Sequence, residues 1–394
     1  MKKLLLVLLA VVFSASCMTA FVGCSSRQDT LIVYNWEDYI DESVLPEFEA
    51  YYKMRTGKSI KVDYQKFDVN ETMLKKVIEG GGDYDVICPS DYAIEKLIEQ
   101  DLLAEIDYSN ITNRDNLISS TVSLAHDPDN KYSVPYMWGT VGILYNADYV
   151  TEDDLAEGFG LLWNANSNTD LADKMLMKKS VRDAMVAAVA YAYQDELLAL
   201  ANNERGARMA ELINVTDTAV ITSIEDSLEA LKASDSWLGW EVDDGKDDII
   251  NGVAYVNLAW SGDALYAIEE SEENLAFFVP DEGSNIWVDG WVIPKSATNK
   301  TAAEIFIDFM LSPETAMKNM MEVGYCSSVK PEALQASEAA MEILEENEYD
   351  ATEFFEDINR YPTDEIVARC AVMENFSSTV EEAVGDMWMR IIAG

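Results

Sequence analysis

Short apolar runs alternate along the chain with stretches of helical spacing, and this alternation predicts the architecture. The run Leu31-Ile32-Val33-Tyr34 stops at Asn35 and reads as a strand buried on both faces. Apolar positions recur at helical spacing over residues 44–55, Gly57 closes that segment, and residues 60–64 read as a second strand. A second amphipathic helix over residues 71–78 ends at Gly80-Gly81-Gly82, and Tyr84-Asp85-Val86-Ile87-Cys88 reads as a third strand. The βαβα order predicts an α/β fold with a mostly parallel sheet and right-handed crossovers.

Further strands are expected over residues 141–146, 253–260 and 286–294. Residues 151–235 read as mainly helical, with Leu161, Leu162 and Trp163 in the core, and helices are expected over 301–311, 313–322 and in the acidic tail, 337–394. In Ile286-Trp287-Val288-Asp289-Gly290-Trp291-Val292, a period of two places Trp287, Asp289 and Trp291 on one face. A carboxylate set between indoles suits a desolvated ammonium, because the acid supplies charge and each cation–π contact adds roughly 0.5–2 kcal/mol. The same pattern also suits an edge strand with stacked Trp residues and a solvated Asp.

With 394 residues, the chain exceeds the size at which one core usually keeps growing, so two lobes are expected. Its 28 basic and 72 acidic residues give a net charge of -44, which argues against nucleic acid and anionic lipid surfaces as partners. Lys2 and Lys3 precede an apolar run and then small residues, the pattern of a secretory signal. The signal ends in Phe21-Val22-Gly23-Cys24-Ser25-Ser26, which resembles a bacterial lipobox with Cys24 as the lipidated first residue of the mature chain; Ser14-Ala15-Ser16-Cys17 competes with it. Residues 1–23 are then signal and 24–30 a tether. The remaining cysteines, Cys88, Cys326 and Cys370, are odd in number and imply no complete disulfide framework, although Cys88 and Cys326 are candidates to pair. His126, the only histidine, lies in a polar loop and is expected to be solvated.

Polar and aromatic residues gather just past the strand ends, at Trp36-Glu37-Asp38-Tyr39, Pro89-Ser90-Asp91-Tyr92 and Trp260-Ser261-Gly262-Asp263. Ligands of open α/β sheets bind at that end of the strands. Together with Asn70-Glu71-Thr72-Met73, Tyr84-Asp85-Val86 and Val134-Pro135-Tyr136-Met137-Trp138-Gly139, these motifs make the chain resemble the extracytoplasmic substrate-binding proteins of ATP-driven polyamine importers. The resemblance runs along most of the mature chain. It implies a two-lobed, type II periplasmic-binding-protein-like fold, each lobe a sheet flanked by helices and joined by a hinge. Lobe one would take residues 31–138 and 289–330, and lobe two residues 139–288 and 331–394.

The ligand site so implied joins Trp36, Asp38, Tyr39, Ser90, Tyr92, Asp183, Trp260, Asp263, Trp287, Asp289 and Tyr325. Asp289 and Asp38 would hold one ammonium, Asp183 and Asp263 the other. Ser180 stands where the family carries an acid, with Asp263 as a compensating carboxylate, and Glu374 lies near the family's last polar contact. Taken singly, Asp38, Asp183 and Asp263 also suit helix starts. No cofactor or metal is implied; the expected partners are a polyamine, an ABC transporter permease and the membrane through the lipid anchor, and the chain is expected to be monomeric. One histidine and no His-Glu-x-x-His, phosphate loop or Gly-x-Ser-x-Gly argue against an enzyme. Acid pairs with stacked aromatics leave a carbohydrate binder or glycoside hydrolase as the alternative.

Overall fold

The computed structural model describes residues 27–393 apart from Gly81 and Asp243. The signal segment and both lipobox cysteines, Cys17 and Cys24, lie outside the described residues. Ten strands form the sheet system: β1 Thr30–Trp36, β2 Lys61–Phe67, β3 Val86–Ile87, β4 Ser133–Asn146, β5 Met175–Lys178, β6 Trp237–Glu241, β7 Val256–Trp260, β8 Leu275–Phe278, β9 Ile286–Val292 and β10 Cys326–Ser327. Their order is β2-β1-β3-β9-β4-β7-β5-β6, with β8 and β10 also paired to β4. Pairing is parallel within β2-β1-β3 and β7-β5-β6, where helices make the crossovers, and antiparallel wherever β4 or β9 takes part.

β4 joins the two lobes. Up to Thr140 it pairs with β9 and β10; from Val141 onward it pairs with β7 and β8. Its side chains are buried almost throughout, as a strand covered on both faces requires. Pro135 cannot donate to a ladder, and the register with β9 shifts between Pro135 and Met137, so the proline sits at an irregularity where its missing N–H costs little. The strand begins at Ser133, well before the expected residue 141, and Ser133-Val134-Pro135 carries no clean alternation that would mark that start.

The segment 151–235, read as mainly helical, holds the strand β5, and β6, also unexpected, follows directly after it at Trp237–Glu241. Met175-Leu176-Met177-Lys178 is a short apolar run, and periodicity alone does not separate such a run from a buried helical turn. Leu161, Leu162 and Trp163 are buried as expected, in a 3-10 helix spanning Gly158–Trp163. The acidic tail divides its contacts. Ala340 and Leu344 join the core of Met317 and Met320, whereas the final helix, Ser378–Ala393, buries Val384, Met387 and Ile391 with Ile224 and Leu228.

The expected face of β9 splits in two. Trp287 and Asp289 face a cavity, but Trp291 is fully buried, its ring centroid 4.7 Å from Tyr136 and 5.4 Å from Phe306. Replacing it with alanine should lower the unfolding free energy by about 3–5 kcal/mol, the usual cost of a large aromatic cavity. Urea denaturation of ligand-free protein checks this; a loss below about 1 kcal/mol would mean that the core closes over the gap.

Candidate functional site

The strand ends converge on one cavity of about 450 Å³. From β1 and the turn after it come Trp36, Asp38 and Tyr39; from the start of the helix Asp91–Glu99 come Ser90 and Tyr92. β9 supplies Trp287 and Asp289. From the other side come Asp183 on the helix Val181–Ala192, and Trp260 and Asp263 where β7 runs into the helix Ser261–Glu270. Tyr325, just before β10, completes the set, so all eleven residues expected from the sequence line the same space.

Backbone geometry aims these side chains. Asp38 adopts a left-handed conformation, φ 47°, which Asp tolerates better than bulkier residues, and its side chain is exposed at the rim. Tyr39 is fixed through its carbonyl, which accepts from the Tyr136 hydroxyl at 2.9 Å and from Asn35 Nδ2 at 3.3 Å. Tyr325 lies over Gly262, where a Cβ would stand 2.3 Å from its ring, and Gly324 reaches it in the left-handed region at φ 73°. The rings of Tyr39 and Trp287 meet Tyr325 edge-on at 5.5 and 5.4 Å, so the aromatic wall is braced as a unit.

Asp289 is 5 % exposed. The Tyr39 hydroxyl donates to its Oδ2 at 2.8 Å, whereas Oδ1 has no hydrogen-bond partner among the described residues. Burial pushes its carboxyl up to about 6, against the lowering pull of the Ser90 and Tyr39 side chains. The buried indole Nε1 atoms of Trp36 and Trp287 also lack partners among the described residues. Asp91, which sequence reading passed over although it stands between Ser90 and Tyr92, is 1 % exposed and accepts from the Tyr92 and Val288 amides. Burial raises it to about 8, and the nearby Asp289 charge adds to the rise.

The other end is already occupied by protein cations. Tyr325 donates to Asp263 Oδ1 at 2.8 Å, Lys178 Nζ lies 3.4 Å from Oδ2, and Lys246 stands 3.9 Å away. Burial raises the Asp183 carboxyl, opposed first by the Ser180 hydroxyl and then by the Lys178 charge and the Trp260 indole. Ser180 is the N-cap of that helix, accepting from the Asp183 amide at 3.5 Å, which gives a structural role to the position where an acid was expected. Arg182 is another residue the sequence reading missed; its guanidinium packs 3.8 Å from the Phe376 ring centroid and 4.9 Å from that of Tyr92. Glu374 is exposed and absent from the cavity wall; only its carbonyl takes part, accepting from Arg182, while Met373 and Trp388 line the space instead. Nothing in the local sequence marks Trp388, because the final helix reaches the cavity only through tertiary packing.

Two expectations are corrected. Cys88 and Cys326 are free, buried thiols, Cys326 donating to the Arg360 carbonyl at 2.7 Å. His126 is half-buried beside Asp127, and that burial lowers its pKa. No cluster of His, Cys, Asp and Glu able to hold a metal occurs among the described residues, and none of their helices is long and apolar enough to cross a membrane.

A cleft walled by acids and rings from two lobes, with strands crossing between them, defines a solute-binding clamshell. The chain belongs to the bacterial extracellular solute-binding protein family, whose model matches residues 47–345. It is 28 % identical to the spermidine/putrescine-binding periplasmic protein of Salmonella typhimurium, over 76 % of this chain and 78 % of that protein. It is 26 % identical to the putrescine-binding periplasmic protein SpuD of Pseudomonas aeruginosa, over the full length of both. Among solved structures, the spermidine/putrescine ABC transporter substrate-binding protein PotD of Streptococcus pneumoniae is 31 % identical with a TM-score of 0.70, over 93 % of this chain and 99 % of that one.

The raised carboxyls make stability depend on pH. Asp289 and Asp91 hold protons in the folded state at pH values where the unfolded chain has released them, so their contribution falls as pH rises from about 4 to about 8. Asp91→Asn should therefore gain about 3–4 kcal/mol over the wild type between pH 5 and pH 8. Urea midpoints of ligand-free protein at the two pH values test this, and an unchanged gap would show that Asp91 is ionised throughout.

Proposed function

We propose that this protein captures a polyamine outside the cytoplasm and hands it to an ABC transporter permease, tethered to the membrane by lipid on Cys24. The observation that carries the reading is Asp289: a buried carboxylate whose donors among the described residues are hydroxyls, set among Tyr39, Trp287 and Trp36. Bringing an ammonium out of water costs several kcal/mol unless a carboxylate replaces its hydration, and Asp289 supplies that charge where water is excluded. The methylenes between ammonium groups gain roughly 0.8 kcal/mol apiece against the indole and phenol faces. The names of the relatives from Salmonella typhimurium and Pseudomonas aeruginosa support the ligand class.

In this reading residues 31–138 and 289–330 form one jaw, joined by the helix Glu338–Glu346 that packs on Met317 and Met320, and 139–288 with the final helix Ser378–Ala393 the other. The amine bridges them, and its contacts to both supply the differential affinity that favours the closed form. The relatives are named as binding proteins, and binding without conversion of the solute is proposed here, for a monomer. Asp38 at the rim and Asp289 at depth hold one ammonium, with Asp183 and Asp263 near the other end.

Titration calorimetry with putrescine and spermidine should give heat, and oligosaccharides none; the reverse pattern would overturn the proposal in favour of a sugar binder. Asp289→Asn should weaken amine binding by about 2 kcal/mol, near thirtyfold, because the ammonium is then buried without its counter-charge. A loss under threefold would move the ammonium elsewhere in the cavity. Saturating amine should also reduce the radius of gyration in small-angle scattering, and no compaction with a tight-binding amine would count against closure.

A further inference from the structure

The two ends of the cavity are electrostatically unequal, a feature that deepens the polyamine reading and rests on it. One wall carries Glu37, Asp38, Asp68, Glu71, Asp91 and Asp289 and contributes no basic side chain of its own among the described residues, although Arg182 reaches it from the other side and packs on Tyr92. The opposite wall carries Asp183 and Asp263 together with Lys179, Arg182 and Lys246. Behind that wall stands Lys178, at the end of β5 and 1 % exposed. Its Nζ lies 3.2 Å from Glu241, 3.4 Å from Asp263 Oδ2 and 4.0 Å from the centroid of the Trp260 ring, and it donates to the Val242 carbonyl.

Asp263 and Trp260 are the carboxylate and the indole that a second ligand ammonium would seek at this end. Both are already engaged by an ammonium that belongs to the chain. Asp263 therefore presents a carboxylate whose field is largely cancelled within 4 Å, while Asp289 presents one that meets only hydroxyls. At an effective dielectric of about 20, like charges several ångströms apart still repel appreciably, so a second ligand ammonium arriving near Asp263 feels Lys178 as well as the acid.

We infer that Lys178, acting through Asp263, is a specificity-determining residue: it weakens the hold on the second ammonium and so sets how strongly a diamine is preferred over a matched monoamine. Lys178 is a positioning residue here, since the cavity wall lies between it and the ligand. Glu241, 3.2 Å from the same Nζ, sets its reach in turn by sharing its charge.

The probes are putrescine and 4-amino-1-butanol, which replaces one ammonium with a hydroxyl, each titrated calorimetrically into wild type, Lys178→Met and Glu241→Gln. The ratio of the two affinities is the readout, because loss of packing alone would weaken both ligands together. Lys178→Met should widen the preference for putrescine by about tenfold, and Glu241→Gln, which removes one of the carboxylates that share the Lys178 charge, should narrow it. A ratio within threefold of wild type in both variants would overturn the inference while leaving amine binding intact. If Lys178→Met fails to fold, a widened or unchanged ratio in Glu241→Gln overturns it alone. Wild type binding neither probe nor spermidine would overturn this inference and the proposed function together.

Discussion

The arrangement depends on one costly feature, a carboxylate buried at the middle of β9 with hydroxyl donors and no cation paired to it among the described residues. An ionised acid in so dry a place is destabilising unless charge of the opposite sign comes to it, and burial accordingly pushes Asp289 up to about 6. The surrounding structure holds that cost in place. Tyr39 is anchored by Tyr136 and Asn35, Tyr325 is laid over Gly262, and the pairing of β9 with β4 fixes the Asp289 backbone opposite Met137. A loosely held aspartate would rotate out to water and lose its selectivity for a cation. The rigidity of the aromatic wall is therefore part of the electrostatics.

The other acids solve a related problem. Helices beginning at Asp91, Val181 and Ser261 point their N-termini at the cavity, and a helix start carries the equivalent of roughly half a positive charge, which repels ammonium groups. Asp91, Asp183 and Asp263 each stand in such a first turn. A carboxylate that is ionised there more than offsets the dipole and is itself stabilised by it, whereas Asp91, which burial raises to about 8, keeps its proton below that pH and cancels none of it. The helix-start reading and the ligand reading of these aspartates thus describe the same placement: one residue completes the helix and reverses the sign of its end.

This explains which parts were legible in the sequence. Trp36, Tyr39, Ser90, Tyr92 and Asp263 follow strand ends, a position that periodicity reveals, and each lines the cavity. The α/β order was visible because β1 and β3 are apolar runs separated by clear helices. β5 and β6 were not, since short runs such as Met175-Leu176-Met177-Lys178 carry no period. Trp291 shows the limit of alternation. It shares the parity of Trp287 and Asp289, but the cavity ends between them and the core begins, a boundary set by Tyr136 and Phe306 from distant segments. Lys178 was hidden for a similar reason: its significance lies in Glu241 and Asp263, 63 and 85 residues away.

The crossing between lobes is tied to the site by close packing. β4 runs unbroken past the point where its partners change, so relative motion of the lobes must be taken up as twist near Thr140 and Val141 and not as a swing about a loose linker. Beside that point a Cβ on Gly139 would lie 2.6 Å from Ser261 Oγ and 2.7 Å from the Trp287 ring, and Ser261 in turn accepts from the Thr140 amide at 3.2 Å. Trp287 is a wall of the cavity and Ser261 begins the helix that carries Asp263. Any twist of β4 must therefore shift both, and conversely a cation that fixes Trp287 and Asp263 relative to each other restrains the twist. Under the proposed function, site and hinge share the same atoms, and a small ligand would bias the geometry of two much larger bodies.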